Sequence, residues 1–253
     1  MILNIQKPND SLNVAIFDAD GIPFVTCFNK KDEIPKSVYD CIELTNNYIN
    51  NIINLVGADK YILCLTKGKC NYRLQYNPDY KANRKSAITI PYSRTIKQFL
   101  IDEWGAISMD DYEADDIVLS LNRQIPNSFI ISPDKDLLKT SGYRFNPKTL
   151  EWVHTSNYDE RIAFWSSMIT GDATDGVPGI KGKGPKYAQT ILETYNEQEL
   201  PYIILREYTN VYGEQEGISL YYSYYKSLKI LDNLTVQYDL KEVKRNELDE
   251  LKL

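Results

Sequence analysis

The sequence predicts an α/β fold, with a central, mostly parallel sheet flanked by helices. Three observations carry this. Short apolar runs that read as buried strands recur: "VAIF" at 14–17, "YILCLT" at 61–66 and "FIIS" at 129–132. Segments with helical spacing lie between them, and alternating strand and helix is the pattern of parallel strands joined by covering helices. Carboxylates stand where these segments end, and the ends of parallel strands are where such sheets place their sites.

The first strand runs into Asp18-Ala19-Asp20-Gly21. This D-x-D-G leaves two alternatives open. Asp18 is either a nucleophile, as in phosphatases that attack phosphorus with an aspartate, or a metal ligand. Next comes "SVYDCIELTNNYINNIINLVG", whose apolar residues recur near helical spacing and which stops at Gly57. After the second strand the rhythm breaks. Between Lys67 and Lys97 there are eight basic residues and one acid, Asp79. Tyr72, Tyr76, Tyr80 and Tyr92 interleave with them. Cations that grip phosphates beside rings that stack on bases point to nucleic acid. Lys67, Lys69 and Arg73, which open this stretch, are candidate DNA contacts. The stretch is expected to be an excursion over the sheet edge, partly helical. "ADDIVLSLNRQI" predicts a second helix, ending near Pro126, before the third strand. After residue 160 the pattern turns helical: "DERIAFWSSMIT", a Gly-rich turn, "KYAQTILETY", then "ISLYYSYYKSLKIL". The charged tail "DLKEVKRNELDELKL" is expected to fray.

Composition narrows the chemistry. The 253 residues are 43% hydrophobic and 25% charged, ordinary for a globular protein. No apolar run of about 18 residues predicts a membrane span, and "MILNIQKPND" does not read as a signal peptide. Four cysteines without a C-x-x-C fit a reduced, cytoplasmic chain. His154 is the only histidine. That weighs against a histidine-rich zinc site and against Ser-His-Asp chemistry. The net charge of −6 argues against a nucleic-acid partner, whereas the clustering of the basic residues argues for one.

Three further acidic segments stand out. In "YEADDIVLS" (112–120), Glu113 and Asp116 share a helix face, with Asp115 beside them. In "FIISPDKDLL" (129–138), a strand runs into Asp134 and Asp136. In "ITGDATDGVPGIKGKGPKYA" (169–188), Asp172 and Asp175 precede four glycines. Such a turn opening a helix offers N–H groups to phosphate, and Lys181, Lys183 and Lys186 add charge there. If these acids converge, their repulsion calls for a cation. Hard oxygen ligands suit Mg²⁺ or Mn²⁺. Two such ions about 4 Å apart would serve in-line displacement at phosphorus.

In this order, "FDADG", "YKANR", "YEADD", "SPDKDLL" and "GDATDGVPGIKGKGPKYA" resemble the structure-specific 5′ nuclease superfamily. That group includes flap endonucleases, the 5′-nuclease domains of bacterial DNA polymerases, and bacteriophage 5′–3′ exonucleases. The match runs from residue 18 to about 190, and "DKDLLKTSGYRFNPKT" looks most like the bacteriophage branch. The resemblance implies metal-dependent cleavage of DNA at 5′ ends, flaps or nicks, with RNA in hybrids as a further substrate and no membrane partner. By it, Asp18, Glu113, Asp115, Asp116, Asp134 and Asp136 would hold or orient one Mg²⁺. Asp172 and Asp175 would hold the second, sharing Asp136. Lys81 and Arg84 would touch the scissile phosphate, and Tyr80 would stack on a base. Residues 67–103 would form a helical arch over the active site. The Gly-rich segment would be a helix-hairpin-helix-like helix-turn-helix that grips duplex phosphates and binds K⁺ through backbone carbonyls. The expected organisation is a nuclease core over 1–160 and a helical C-terminal region over 161–253, one catalytic unit.

Two departures stand out. Ala19 follows Asp18 where the family has glycine. Thr66 stands near the end of the second strand, where the family has another metal-site aspartate. The alternatives are a DNA-structure-binding protein that has lost catalysis, and the phosphatase. The phosphatase leaves Glu113, Asp115 and Asp116 without a role, which favours Asp18 as a metal ligand and Asp20 as an accessory acid or structural residue.

Overall fold

β1 (Val14–Asp18) is at the centre of the sheet in the computed structural model, which describes residues 7–28, 37–83 and 90–243. Successive side chains of a strand point to opposite faces. Ala15 and Phe17 enter one apolar cluster, and Val14 and Ile16 enter another. Both faces are covered, so the run is apolar throughout rather than alternating.

α1 (Ile22–Cys27) and α2 (Val38–Val56) cover the first face. α2 begins at a capping box between Ser37 and Asp40 and stops at Gly57, whose φ of 61° is the left-handed cap that glycine favours. β2 (Lys60–Cys64) lies parallel to β1, with Asp18 opposite Cys64. The basic stretch holds α3 (Asn71–Leu74) and the first half of α4 (Ser93–Asp102). Arg84, in the arch expected from the sequence, lies outside the described residues. α5 (Ala114–Gln124) covers the second face through Ile117, Val118 and Leu121. β3 (Ser128–Ile131) joins β1 on its other side, again parallel.

After α6 (Lys135–Leu138), β4 (Gly142–Asn146) runs parallel to β3 and β5 (Glu151–Thr155) turns back antiparallel. The sequence reading had not separated this hairpin. α7 (Asn157–Thr170), α8 (Pro185–Thr194), α9 (Leu200–Tyr212) and α10 (Glu214–Leu228) build a third apolar cluster of their own. Tyr221 is buried in it, whereas Tyr222 is 55% exposed. The chain then returns. Ile230, Leu234 and Val236 pack on the second face of the sheet, and β6 (Lys241–Glu242) pairs antiparallel with β2. The expectation that the tail frays is therefore corrected for these residues, which an edge ladder and the Lys60–Glu242 ion pair at 2.8 Å hold in place. The rest of the tail, 244–253, lies outside the described residues. The six strands follow the order β5-β4-β3-β1-β2-β6. No described helix is long and apolar enough to cross a membrane.

Candidate active site

Because β1, β2 and β3 are parallel, their C-terminal ends share one edge of the sheet. A cleft of about 490 Å³ opens there. Asp18 ends β1. The loop after β3 brings Asp134, which caps α6, and the first turn of α6 brings Asp136. Glu113 caps α5 and Asp115 sits in its first turn. The turn after α7 brings Asp172 and Asp175 from the opposite wall. All seven line the cleft, and Lys81 lies among them.

Hydrogen bonds fix the acids. The Ser132 hydroxyl donates to Asp18 Oδ2 at 2.9 Å and accepts the Asp134 N–H at 3.0 Å, so one side chain ties the ends of β1 and β3. The Asp136 N–H donates to Asp134 Oδ1 at 2.7 Å. The Thr174 N–H donates to Asp172 Oδ1 at 2.7 Å.

Four lysines answer the outer acids. Lys81 Nζ lies 2.6 Å from Glu113 and 3.7 Å from Asp175, and its own N–H donates to the Asp175 carbonyl at 3.1 Å. It therefore bridges the two walls. Its φ of 55° is left-handed, an uncommon conformation for a lysine. Lys97 pairs with Asp20 at 2.6 Å, Lys135 with Asp172 at 3.1 Å, and Lys139 with Asp136 at 2.9 Å.

The electrostatics divide in the same way. Burial would raise the Glu113 carboxyl, but Lys81 and Arg73 hold it below its usual value. Asp172 is likewise held low, against burial, by Lys135 and the Thr174 N–H. Asp18 and Asp115, in contrast, form no ion pair among the described residues. Burial first, and then the charge of Asp20, pushes Asp18 up to about 7. Burial, then Asp18 and Asp134, pushes Asp115 well above the carboxylate range. Crowded carboxylates without a counter-charge are what a divalent cation relieves. The donors are all oxygens, which suits a hard ion. The residues therefore fit the metal. Among the described residues, no three of these groups are already gathered as a ligand cage.

Three sequence assignments are corrected by burial. Asp116 is fully buried and points away from the cleft. It accepts two hydrogen bonds from the Arg73 guanidinium, at 2.6 and 2.7 Å. Arg73 is 2% exposed and so is not a DNA contact at the surface. Tyr80 is 7% exposed; its hydroxyl donates to Glu113 at 2.8 Å and its ring lies under Lys81. It supports the lysine and offers no free face to a base. Lys67 and Lys69 are exposed, and Lys67 meets Asp110 at 2.9 Å. On the Gly-rich turn, Lys181 and Lys186 are exposed, while Lys183 lies 3.8 Å over the Tyr187 ring.

Sequence reasoning missed Ser132, Lys97, Lys135 and Lys139, and gave Asp20 only an accessory or structural place. Thr66 does lie on the cleft wall, but its hydroxyl is engaged by Asp20.

An acid-rich cleft bridged by a lysine at the C-terminal edge of a parallel sheet is the kind of site that enzymes of metal-assisted phosphate chemistry use. The model of the 5′-3′ exonuclease, N-terminal resolvase-like domain matches residues 14–160, and the chain belongs to that family. The phosphatase alternative falls away with this membership. DNA polymerase I of Caldicellulosiruptor bescii is 29% identical over 217 residues, covering 74% of this chain and 25% of the polymerase. The 5′-3′ exonuclease of Aquifex aeolicus is 31% identical over 198 residues, covering 69% of this chain and 66% of that protein. The chain thus spans about a quarter of the length of that polymerase. Among solved structures, the flap endonuclease of bacteriophage T5 in complex with DNA and metal ions shares the fold. Its TM-score is 0.66 at 18% identity, over 87% of this chain and 89% of that one. The catalytic core of Rad2 in complex with DNA substrate matches with a TM-score of 0.54 at 15% identity, over 96% of this chain and 86% of that one.

Proposed function

We propose that the chain is a Mg²⁺-dependent 5′–3′ exonuclease and flap endonuclease that hydrolyses DNA phosphodiester bonds at or near 5′ ends. One observation carries this: acids from four separate segments meet Lys81 in a single cleft. Relatives named 5′-3′ exonuclease, and fold neighbours solved with DNA, support the substrate. Asp18, Asp115 and Asp134 would hold one ion, and Asp136, Asp172 and Asp175 a second, with Mn²⁺ able to substitute. When bound, such ions ionise a water and stabilise the leaving oxygen.

The chain's own residues do the rest. Glu113 and Tyr80 hold the Lys81 ammonium in the cleft, where it can meet charge developing on the phosphoryl group. Arg84 is proposed to share that task. Lys181, Lys186 and the N–H groups that open α8 would hold duplex phosphates, with K⁺ on the carbonyls of the turn. Lys67 and Lys69 would meet the approaching strand.

The test is cleavage of a 5′-labelled flap duplex with Mg²⁺ and with a chelator. Asp134→Asn with Asp136→Asn should lower cleavage by several orders of magnitude. DNA affinity should hold or rise, because negative charge near phosphates has gone. Cutting by the double variant at near wild-type rate would overturn the proposal.

A further inference from the structure

We infer that Asp20 supplies the metal-binding carboxylate on the β2 side of the cleft, and that Thr66 is the residue that positions it. The inference rests on the metal-dependent function proposed above. Thr66 stands just past β2, where the resembling family carries an aspartate. Its hydroxyl accepts the Ala114 N–H at 2.9 Å. That bond orients the hydroxyl, whose own proton goes to Asp20 Oδ2. The Thr66 N–H donates to Asp20 Oδ1 at 3.1 Å. Residue 66 thus grips both oxygens of one carboxylate and is itself fixed to the start of α5, which carries Glu113 and Asp115.

The carboxylate so held belongs to the cleft. Asp20 lines it together with Asp18, and the Asp20 N–H donates to Asp18 Oδ1 at 3.3 Å. An acid set beside other acids incurs repulsion that a tie to a distant helix does not explain. The remaining partner is Lys97 on α4, 2.6 Å from Oδ1. A carboxylate offers about four acceptor positions. Two donors from residue 66 and one ammonium leave room for a cation, and the ammonium is the partner a cation would displace. The carboxylate thus comes from the loop after β1, and the threonine just past β2 receives it.

The test is calorimetric titration of the full chain with Mn²⁺ in the absence of DNA, with melting temperature as the check on folding. Asp20→Asn should weaken binding about tenfold or more, the scale for losing a carboxylate or its orienting partner. Thr66→Val should also weaken it, and Thr66→Ser should restore it. The double variant D20N/T66D, which places the acid at position 66 instead, should recover most of the affinity. Lys97→Met should tighten Mn²⁺ binding, because no ammonium has to leave. An Asp20→Asn titration equal to wild type, or a Lys97→Met affinity that is unchanged or weaker, would overturn the inference and leave Asp20 as a partner of Lys97 only. Failure of the wild-type chain to bind Mn²⁺ at all would overturn the metal-dependent function with it.

Discussion

Asp18 is a carboxyl that keeps its proton to about 7, through burial first and the neighbouring Asp20 second. Asp115 is raised in the same way. A carboxyl raised above its unfolded value of 3.8 binds more protons folded than unfolded. Its contribution to stability is complete below that value and is lost as pH rises through about 7. Glu113 and Asp172 are lowered, so their contributions are lost only as pH falls below the ordinary carboxylate range. Between mildly acid and mildly alkaline pH the first pair dominates. With a chelator present, the melting temperature should fall from pH 5.5 to pH 8, and Mg²⁺ should raise it more at pH 8. A flat profile that Asp18→Asn leaves unchanged would count against this. At this scale the sequence showed the acids but not their partners. Adjacent residues on a helix differ by about 100°, so Asp115 faces the cleft while Asp116 turns into the core. The spacing suggested three acids together and could not say which one Arg73 would claim. Lys97 meets Asp20 across 77 positions, and no local pattern announces such a pair.

Helices and strands were legible where local chemistry is strong. The Gly57 stop and the apolar runs of the parallel strands are read directly from residue types, whereas the Ser37 cap is seen only in the structure. β4 and β5 were not, because "GYRFN" and "EWVHT" are short, mixed strands near the sheet edge whose pairing depends on the turn between them. The turn from α7 to α8 was recognised by its glycines, and its geometry explains two of them. Gly171 and Gly179 have φ of 80° and 71°, and their backbones lie so close that a methyl on either would collide with the other strand of the turn. This contact closes the loop that carries Asp172 and Asp175. Gly179→Ala combines a left-handed residue with a backbone clash and should cost more than about 2 kcal/mol. Urea unfolding should show the loss, and cleavage by the folded fraction should fall with it. Gly182→Ala, with open space around its Cβ, should cost less.

Across the whole molecule, the Arg73–Asp116 pair joins the α/β core to the C-terminal helices. Arg73 also donates to the carbonyls of Ser227 and Lys229, each at 3.1 Å, and Asp116 accepts the Leu231 N–H at 2.9 Å. The pair thus meets the chain where it leaves α10 and returns to the sheet. Removing one partner strands a buried charge, at a cost of about 3–5 kcal/mol. Arg73→Ala should therefore unfold at much lower denaturant, whereas R73M/D116L should recover part of the loss. If Arg73→Ala weakened DNA binding with stability intact, the surface role read from the sequence would stand after all.

Lys97, Lys135 and Lys139 act as tethered counterions, each occupied by a carboxylate that the proposals above give to a metal ion. A divalent ion that claims those acids frees the ammonium groups at the mouth of the same cleft. Under the proposed function, an incoming phosphodiester would then inherit them. Metal and DNA would thereby be partners in one charge exchange, and linkage would make the effect mutual. Mg²⁺ should tighten binding of a non-hydrolysable 5′-flap duplex, and the duplex should tighten Mg²⁺ by the same factor. Neutralising these lysines should shrink that factor before it abolishes either affinity.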